Sequence, residues 1–459
     1  MRLDALFRPE SIAVVGASDK PTIGRRLIAS LDRIGFSGTI APVNPSYSDV
    51  AGRKCYPDIA ELPEPPDVAV FCVGHARVLE PLLAAAEHGV KAAVIYDGGF
   101  AERGADGRRL QTRVEGICRE AGIALCGPNC MGVLSPHHPS TTYLQELRDP
   151  AGLAGNVAIV SQSGAFCISL LTDVRRFGFS YVVSSGNETV LAAADYLEYV
   201  VDDPHTRAIG CFIETIRSPD RFVAALDRAT AQGKPVVVLK VGRTARTQHA
   251  VTTHTGGEAG EPGFVSELLR AHRAIQVLDL VEFTEVLATC HGAKRPAGRR
   301  IGVVTSSGGL AELILDIAAS TDLQLPPLSA AIRAKIEDKI GFVTGDGNPL
   351  DAWGNGTFAV NLPHALEVLD QSPDHDIVVF CRDNCDGQPF EMPEPPLSYL
   401  ELFIRAAANS KKPHYLLHTR PGVMNREQVA HLRAAGIPVV GGLREGLVAI
   451  DRLASLNGV

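Results

Sequence analysis

The 459-residue sequence lacks the features of a membrane or secreted protein. No apolar stretch approaches the roughly 20 residues that cross a bilayer, because Gly, Pro or a charged residue interrupts each run sooner. The first nine residues contain neither the apolar region nor the small-residue cleavage site of a signal peptide. With 44 Lys and Arg against 52 Asp and Glu, the chain also lacks the basic balance of a nucleic-acid-binding protein. We therefore expect a cytoplasmic protein that binds neither membranes nor nucleic acids.

Metal-binding and Walker-type patterns are also missing. The ten cysteines are scattered, and the two C-x3-C pairs, Cys126/Cys130 and Cys381/Cys385, have no matching second pair. We therefore expect reduced thiols and no metal site. No G-x-x-x-x-G-K-[ST] sequence occurs, which excludes a Walker nucleotide site.

The pattern of apolar runs indicates the fold class. Apolar residues make up 45% of the chain and charged residues 21%, which excludes disorder throughout, and the length predicts roughly three domains. Short β-branched runs alternate with longer amphipathic stretches, which is typical of α/β proteins with parallel sheets. In the first part of the chain these runs lie at 11–15, 38–43, 68–73, 92–96 and 123–126, with a helical stretch from about Ile23. Because strands buried on both faces are continuously apolar, we predict a doubly wound domain over residues 1–147.

The rest of the sequence contains an internal repeat. Four segments recur in the same order at an offset that grows slowly, as small insertions would produce. They are 156–164 with 300–309, 183–187 with 343–348, 209–213 with 377–381, and 234–239 with 412–417. We therefore predict two related flavodoxin-like domains, 148–292 and 300–459, joined by a polar, basic linker.

The turn after the first strand is a candidate anion-binding site. It consists of Gly16, Ala17 and Ser18, and N–H groups that precede a helix point at a bound anion. The complete G-x-G-x-x-G pattern is absent, and the second predicted strand ends at Asn44, where a dinucleotide site has an acidic residue. NAD is therefore disfavoured, whereas another phosphate-bearing nucleotide such as coenzyme A stays open. A tight turn without a ligand is the alternative.

Two further strand-to-helix turns contain small hydroxyl side chains and lie at corresponding places of the repeat. They are Ser161-Gln162-Ser163-Gly164 and Ser306-Ser307-Gly308-Gly309. A serine in such a turn can simply cap the helix. Two equivalent turns in one chain favour helix N-termini that bind an anion. Neither turn has the G-x-S-x-G pattern of an esterase nucleophile.

His254 is a candidate for covalent catalysis. It lies between threonines and glycines, which predicts a mobile polar loop and not an apolar core. A solvated loop histidine is one interpretation, but an imidazole is also suited to accept a phosphoryl group reversibly near neutral pH. Glu214 follows the predicted strand 209–213, where its carboxylate could orient the imidazole by accepting the other ring N–H.

Together these motifs resemble the α subunit of the ADP-forming acyl-CoA synthetases (acetate–CoA ligase type), which are relatives of succinyl-CoA synthetase. The resemblance runs in a fixed order through nearly the whole chain, over 14–18, 126–130, 161–165, 186–187, 254–256, 305–309 and 348–351. It implies a Rossmann-like CoA-binding domain followed by two succinyl-CoA synthetase-like flavodoxin domains.

The resemblance also implies roles for matching residues. His254 would be the phosphorylated histidine, and Glu214 the carboxylate that holds it. The helices that open at the two serine-containing turns would flank the phosphate. The residues implied for CoA are Gly16, Ala17, Ser18, Asp97, Gly98, Gly99 and Asn129.

The implied reaction is acid + CoA + ATP ⇌ acyl-CoA + ADP + Pi, through acyl phosphate and phosphohistidine. No stretch of this sequence resembles the ATP-grasp module of the family, so ATP, ADP and Mg²⁺ are expected only through a β-type partner subunit, in a hetero-oligomer or a homodimer. Ser46 and Ile168 stand where succinyl-CoA synthetase has a lysine and a tyrosine, which makes succinate doubtful as the acid. The alternatives are a catalytically silent CoA-binding regulatory module and, disfavoured by Asn44, an NAD-dependent dehydrogenase.

Overall fold

Three large β-sheets form the framework of the structure, a computed structural model that describes residues 3–173, 175–255, 260–383, 385, 398–422 and 424–457. At residues 253–255 and 457 the backbone alone is described. The chain divides into two units. The first unit is Met1–Thr172 with Gly178–Gln276, and the second is Asp173–Phe177 with Val277–Val459.

The first sheet of the first unit is parallel, in the order β2-β1-β5-β6-β7. Its strands and a small antiparallel hairpin are β1 Ser11–Val15, β2 Thr39–Val43, β3 Asp49–Val50, β4 Arg53–Lys54, β5 Val68–Phe71, β6 Ala92–Ile95 and β7 Ala124–Cys126. The helices of this part are α1 Asp4–Phe7, α2 Ile23–Ile34, α3 Leu79–His88 and α4 Ala105–Ala121. The five apolar runs are thus confirmed as strands, and the three central strands β1, β5 and β6 are almost entirely buried, whereas the edge strand β2 is buried only from Ala41 to Val43.

The second sheet of the first unit has the order β14-β13-β12-β10-β11-β8-β9. Its strands are β8 Gly132–Ser135, β9 Ser140–Thr141, β10 Ala154–Ser161, β11 Phe179–Ser184, β12 Ala208–Ile213, β13 Val236–Lys240 and β14 Ile275–Val277. The helices are α5 Gly164–Leu171, α6 Ala193–Asp202, α7 Pro219–Ala231, α8 Ala245–Thr255 and α9 Pro262–Ala271. β8 runs antiparallel to β11 and lies within the predicted first domain 1–147, yet it belongs to this sheet.

The register of the second sheet aligns the ends of three strands. Ser161 of β10 pairs with Ser184 of β11 on one side and with Phe212 of β12 on the other. The loops that begin at residues 162, 185 and 214 therefore leave the sheet side by side at its carboxyl edge. This edge is where open α/β sheets bind their ligands.

The second unit contains one parallel sheet in the order β16-β15-β17-β18-β19. The strands are β15 Ile301–Thr305, β16 Leu350–Asp351, β17 Ile377–Cys381, β18 His414–His418 and β19 Val439–Gly441. The helices are α10 Leu280–Thr289, α11 Gly308–Ala318, α12 Ala330–Ile340, α13 Phe358–Gln371, α14 Tyr399–Asn409, α15 Arg426–Ala434 and α16 Leu443–Ala454.

The strand order confirms the internal repeat. The order β18-β17-β15-β16 of the second unit matches β13-β12-β10-β11 of the first. One of the four predicted pairings, 183–187 with 343–348, is wrong. The strand that corresponds to β11 is β16, which begins only at Leu350, so 343–348 precedes it. The side chain of Asn348 explains the difference: its Oδ1 accepts the Val303 N–H at 3.0 Å and its Nδ2 donates to the Ile301 carbonyl at 2.9 Å. A side chain thus bonds to β15 where a strand backbone was expected.

A search of the helices in the described parts of the chain finds none with both the length and the apolar character that crossing a membrane requires.

Candidate functional site

The turn 16–18 follows β1 at the carboxyl edge of the first sheet, as the sequence predicted. Gly16 has φ +88°, and its N–H donates to the carbonyl of Val43 at 2.8 Å. This N–H is therefore used within the sheet and does not face a ligand. A Cβ at position 16 would lie 2.8 Å from Cγ1 of Val73, which explains the glycine. The role of Ala17 and Ser18 in CoA binding stays a prediction.

Asp97, Gly98, Gly99 and Asn129 come together at the same edge, after β6 and β7. The N–H of Asn129 donates to the Asp97 carbonyl at 3.0 Å, and a Cβ at Gly98 would lie 3.5 Å from Oδ1 of Asn129. The Asp97 carboxylate accepts the backbone N–H of His75 at 2.6 Å and lies 2.8 Å from the Nδ1 of its ring. The structure thus brings these four predicted residues into one cluster.

A polar network joins this cluster to the second sheet of the same unit. The N–H of Asn187 donates to the Pro128 carbonyl at 2.9 Å, and its Nδ2 donates to Glu102 at 2.8 Å and to Gln111 at 3.2 Å. Asn129 donates in turn to Oδ1 of Asn187 at 3.2 Å. Burial alone would raise the pKa of Glu102, but hydrogen bonds from Asn187 and from backbone N–H groups lower it. The sequence indicated Asn187 only as part of a motif and gave no signal for Glu102.

The turn 161–164 connects β10 to α5 and is closed by its own hydroxyl group. Ser161 Oγ donates to the Ser163 carbonyl at 2.7 Å and accepts the Ser163 N–H at 3.1 Å. A Cβ at Gly164 would lie 2.4 Å from Sδ of Met131, so the glycine permits this side chain to pack on the helix start. Ser161 therefore shapes the turn, whereas its binding of phosphate stays a prediction.

Gln162 holds the turn against the loop that contains Glu214. Its Oε1 accepts the backbone N–H of Glu214 at 2.6 Å and that of Thr215 at 2.9 Å, while its Nε2 donates to the Thr215 carbonyl at 2.7 Å. All these groups are buried. We call this arrangement the Gln162 clamp, and it brings two separately predicted parts of the site together.

A buried lysine supports the same loop from the next strand. Nζ of Lys240 donates to the carbonyl of Glu214 at 2.8 Å and to that of Val241 at 2.5 Å. Burial lowers the pKa of Lys240 to about 8, and the nearby Glu214 charge opposes that shift. Sequence reasoning missed Lys240, although a lysine that closes an otherwise apolar strand was a visible signal.

Glu188 is a second buried carboxyl group at this edge. It has φ +54°, and its Oε1 lies 2.8 Å from the hydroxyl of Ser185, while Nε of Arg217 lies 3.7 Å from its Oε2. Burial raises the pKa of Glu188 to about 7, although Gln162, Ser185 and Arg217 favour the charged form. The sequence prediction did not include it.

The predicted loop at His254 is wrong, because the backbone of His254 lies in the last turn of α8. Two reciprocal hydrogen bonds at the start of the helix resemble a capping box. The Thr244 hydroxyl accepts the Thr247 N–H at 3.2 Å, and the Thr247 hydroxyl accepts the Thr244 N–H at 3.0 Å. α8 contacts the short 3₁₀ helix Ala101–Arg103, which follows the Asp97–Gly99 cluster. The His254 side chain and residues 256–259 lie outside the described part of the chain.

The corresponding turn of the second unit, Ser306-Ser307-Gly308-Gly309, connects β15 to α11. Ser307 is the N-cap, and its Oγ accepts the N–H of Leu310 at 3.4 Å. A Cβ at Gly308 would lie 3.6 Å from the carboxylate of Asp351, which ends β16. Ser307 thus caps the helix, as the simpler interpretation expected, and an additional role in phosphate binding stays a prediction.

Within the described ranges, no group of three or more His, Cys, Asp and Glu side chains is placed to hold a metal ion. The ten cysteines are free thiols.

Two family profiles match the chain. A CoA binding domain matches residues 10–136, and a succinyl-CoA ligase like flavodoxin domain matches residues 154–290. The first contains β1 to β7, and the second contains the turn 161–164, Glu214 and His254. These matches confirm the predicted fold class.

Relatives of known activity support the same assignment. A trans-feruloyl-CoA synthase from an unknown prokaryotic organism is 36% identical over 349 residues, which are 73% of this chain and 49% of that protein. The chain thus spans about half the length of that relative. The ADP-forming acetate–CoA ligase I subunit alpha of Pyrococcus furiosus is 33% identical over 334 residues, 71% of each chain.

A solved structure covers the whole architecture. It is a dinucleotide-forming acetyl-coenzyme A synthetase 1 of Ca. Korarchaeum cryptofilum in complex with phosphate and ADP, with 28% identity and a TM-score of 0.84 over 99% of this chain and 97% of that one. Strand order, family profiles and the Pyrococcus relative agree. The chain belongs to the family of ADP-forming acyl-CoA ligases of the acetate–CoA ligase type.

Proposed function

We propose that this chain carries the acyl, CoA and phosphohistidine steps of the reaction acid + CoA + ATP ⇌ acyl-CoA + ADP + Pi. The observation that carries the proposal is the Gln162 clamp, because it fixes Glu214 against the turn 161–164 at the carboxyl edge of one sheet. Asn187, from the next loop of that edge, connects this place to the Asp97–Asn129 cluster of the CoA-binding domain. The turn proposed to bind an anion, a carboxylate and the CoA binding domain therefore adjoin within one unit.

In the proposed first step, an oxygen of inorganic phosphate attacks the carbonyl carbon of the acyl-CoA. The carbon–sulfur bond breaks, the CoA thiolate leaves and takes up a proton, and an acyl phosphate forms. N–H groups of the first turn of α5, which begins at Gly164, would stabilise the negative charge that develops on oxygen, because those of Gln162 and Ser163 already donate within the protein.

In the second step, the His254 imidazole attacks the phosphorus of the acyl phosphate. The bond between phosphorus and the acyl oxygen breaks, the carboxylate leaves, and the histidine holds the phosphoryl group. Glu214 is proposed to accept the other ring N–H, which fixes the tautomer and favours the charged intermediate. Transfer to ADP would then regenerate the imidazole.

The nucleotide step is proposed to need an ATP-grasp partner that brings ADP or ATP and Mg²⁺. The Pyrococcus relative, which this chain matches over 71% of its length, is named a subunit alpha, and this supports a separate partner. Acetate and ferulate are the first acids to test, because relatives act on acetate and form feruloyl-CoA.

Reconstituted turnover tests the proposal. The chain is mixed with an ATP-grasp β-type subunit, CoA, ATP and the acid, and acyl-CoA formation is measured for the wild type, His254→Asn and His249→Asn. His249 lies on the same helix and serves as the matched control. We expect loss of turnover in His254→Asn alone. Full turnover of His254→Asn would contradict the proposal, and CoA binding without turnover in the wild type would support the silent regulatory module instead.

A further inference from the structure

Glu188 occupies a place that the proposed steps leave unused. It follows β11 and is 5% exposed. Its backbone is in the left-handed region, which is energetically unfavourable for a residue with a long side chain. It stands between two elements of the site, with the hydroxyl of Ser185 on one side and the guanidinium of Arg217 on the other. Ser185 connects it to the turn, because its backbone N–H donates to the Ser161 carbonyl at 2.8 Å.

The hydrogen bonds of Glu188 differ between its two protonation states. Ser185 Oγ lies 2.8 Å from Oε1 of Glu188 and 3.3 Å from the Ser161 carbonyl, and it has one hydrogen to donate. In the neutral acid, Oε1–H can donate to Ser185, which then donates to Ser161. In the carboxylate, Ser185 must donate to Oε1, so its hydroxyl bond to Ser161 is lost.

The second carboxyl oxygen of Glu188 faces the guanidinium of Arg217. Oε2 is buried without a hydrogen-bond partner, and Nε of Arg217 lies at 3.7 Å, beyond a hydrogen bond. Arg217 follows Glu214 by three residues in the loop that the Gln162 clamp holds, and its side chain is 28% exposed. Ionisation of Glu188 would strengthen its attraction for this guanidinium, and neutralisation would weaken it.

The other ionisable groups around Glu188 do not replace Arg217 as its counter-charge. Cys211 on β12 and Tyr196 on α6 both feel the Glu188 charge, which raises the pKa of each further above values already raised by burial. Both are therefore neutral near pH 7. Glu214 and Lys240 adjoin through the Gln162 clamp, where the lysine donates to backbone carbonyls. Among the described residues, Arg217 is the cation whose charge acts on Glu188.

We propose that Glu188 is a positioning residue that determines by its protonation whether Arg217 serves the anion bound at the turn 161–164. The neutral acid would leave the guanidinium to the anion, and the carboxylate would take it. The inference rests on the proposed function, which places phosphate at this turn. Because burial brings the pKa of Glu188 to about 7, the change would occur near neutral pH.

Phosphate binding by the full chain tests this inference. The Kd of inorganic phosphate is measured by calorimetry, with saturating CoA, at pH 6, 7 and 8 for the wild type, Glu188→Gln and Glu198→Gln. Glu198 on α6 pairs with Arg221 away from the site and is the matched control. Since phosphate itself titrates in this range, the informative quantity is the ratio of the wild-type Kd to the Glu188→Gln Kd.

If only the neutral form of Glu188 is competent, the ratio rises up to about tenfold from pH 6 to pH 8. The ratio of the wild type to Glu198→Gln stays constant. A constant ratio for Glu188→Gln, with phosphate bound at every pH, overturns the inference and leaves the proposed function standing. Absence of phosphate binding at all three pH values contradicts both.

Two measurements remain informative if Glu188→Gln does not fold. Arg217→Gln changes a partly exposed loop residue, and we expect it to weaken phosphate binding at pH 6. The ratio of the Arg217→Gln Kd to the wild-type Kd should then fall toward one at pH 8. Infrared difference spectra of the wild type between pH 6 and pH 8 should show a protonated carboxyl band that disappears as the pH rises. A ratio that stays the same from pH 6 to pH 8, or absence of the band at pH 6, contradicts the inference.

Discussion

Replacement of Gln162 by alanine is the sharpest test of how the site is assembled. The clamp supplies one acceptor for two backbone N–H groups, of Glu214 and Thr215, and one donor for the Thr215 carbonyl. The Gln162 side chain is also buried, so water does not replace these bonds without rearrangement. Alanine would therefore leave three backbone polar groups without partners.

The magnitude follows from the cost of such groups. Each buried donor or acceptor that loses its partner costs about 1–3 kcal/mol, and because water enters part of the space we expect a combined loss of about 2–4 kcal/mol. At 1.4 kcal/mol per factor of ten, the loop should open roughly 30- to 700-fold more often. The loss should be local, because the strands on either side keep their ladder bonds.

Amide hydrogen exchange measures this opening directly. The N–H groups of Glu214 and Thr215 should lose protection in Gln162→Ala, while those in the centre of β12 keep theirs. Gln371→Ala, at the exposed end of α13, is the control and should change neither. Unchanged exchange at both loop amides in Gln162→Ala would refute the clamp.

Other predictions concern packing and burial. Gly186→Ala places a Cβ 2.4 Å from the carbonyl oxygens of Pro128 and Asn129 at φ +62°, so it should lower the midpoint of thermal unfolding and weaken CoA binding. Gly233→Ala is the control, because Gly233 has φ +66° and no atom within 4 Å of an added Cβ. Its loss of stability should be confined to about 1–2 kcal/mol of backbone strain. An equal loss of stability in both variants would refute the close approach at Gly186. Nη1 of Arg176 lies 2.6 Å from Oε2 of the buried Glu285, and Arg176→Met removes this cation. The free energy of unfolding of the second unit, measured with denaturant, should fall by about 3–5 kcal/mol. A loss below about 1 kcal/mol would mean that this ion pair is not formed.

The sheets could be predicted from the sequence because of how they are buried. A parallel strand covered on both faces must be apolar at every position, so β1, β5 and β6 appear as continuous runs such as Val68–Phe71. The repeat followed from the same signal. The small antiparallel strands β8 and β9 were missed because they are short and polar at their ends.

His254 shows where local composition misleads. Threonine and histidine are weak helix formers, and the flanking glycines favour a loop. The side chains of Thr244 and Thr247 nevertheless cap the segment, so α8 extends to Thr255. The hydroxyl pair that starts the helix lies seven and ten residues before His254, beyond the window that suggested a loop.

The contacts of the site depend on the register of the sheet and were not predictable from local sequence. Gln162 and Glu214 were both singled out, but their 52-residue separation hides the bond between them. Glu188 directly follows a recognised motif at a strand end, which was a usable signal for a functional carboxyl group. Its burial and its contact with Arg217 arise only when β10, β11 and β12 end side by side.

The most direct test of the central claim is phosphorylation of the purified chain without any nucleotide. The chain is incubated with acyl-CoA and radiolabelled phosphate, and the label is located by peptide mapping under conditions that preserve phosphohistidine. We predict an acid-labile label on the peptide that contains His254, accompanied by release of free CoA and absent from His254→Asn. An unlabelled His254 peptide in a chain that binds acyl-CoA and phosphate would contradict the account.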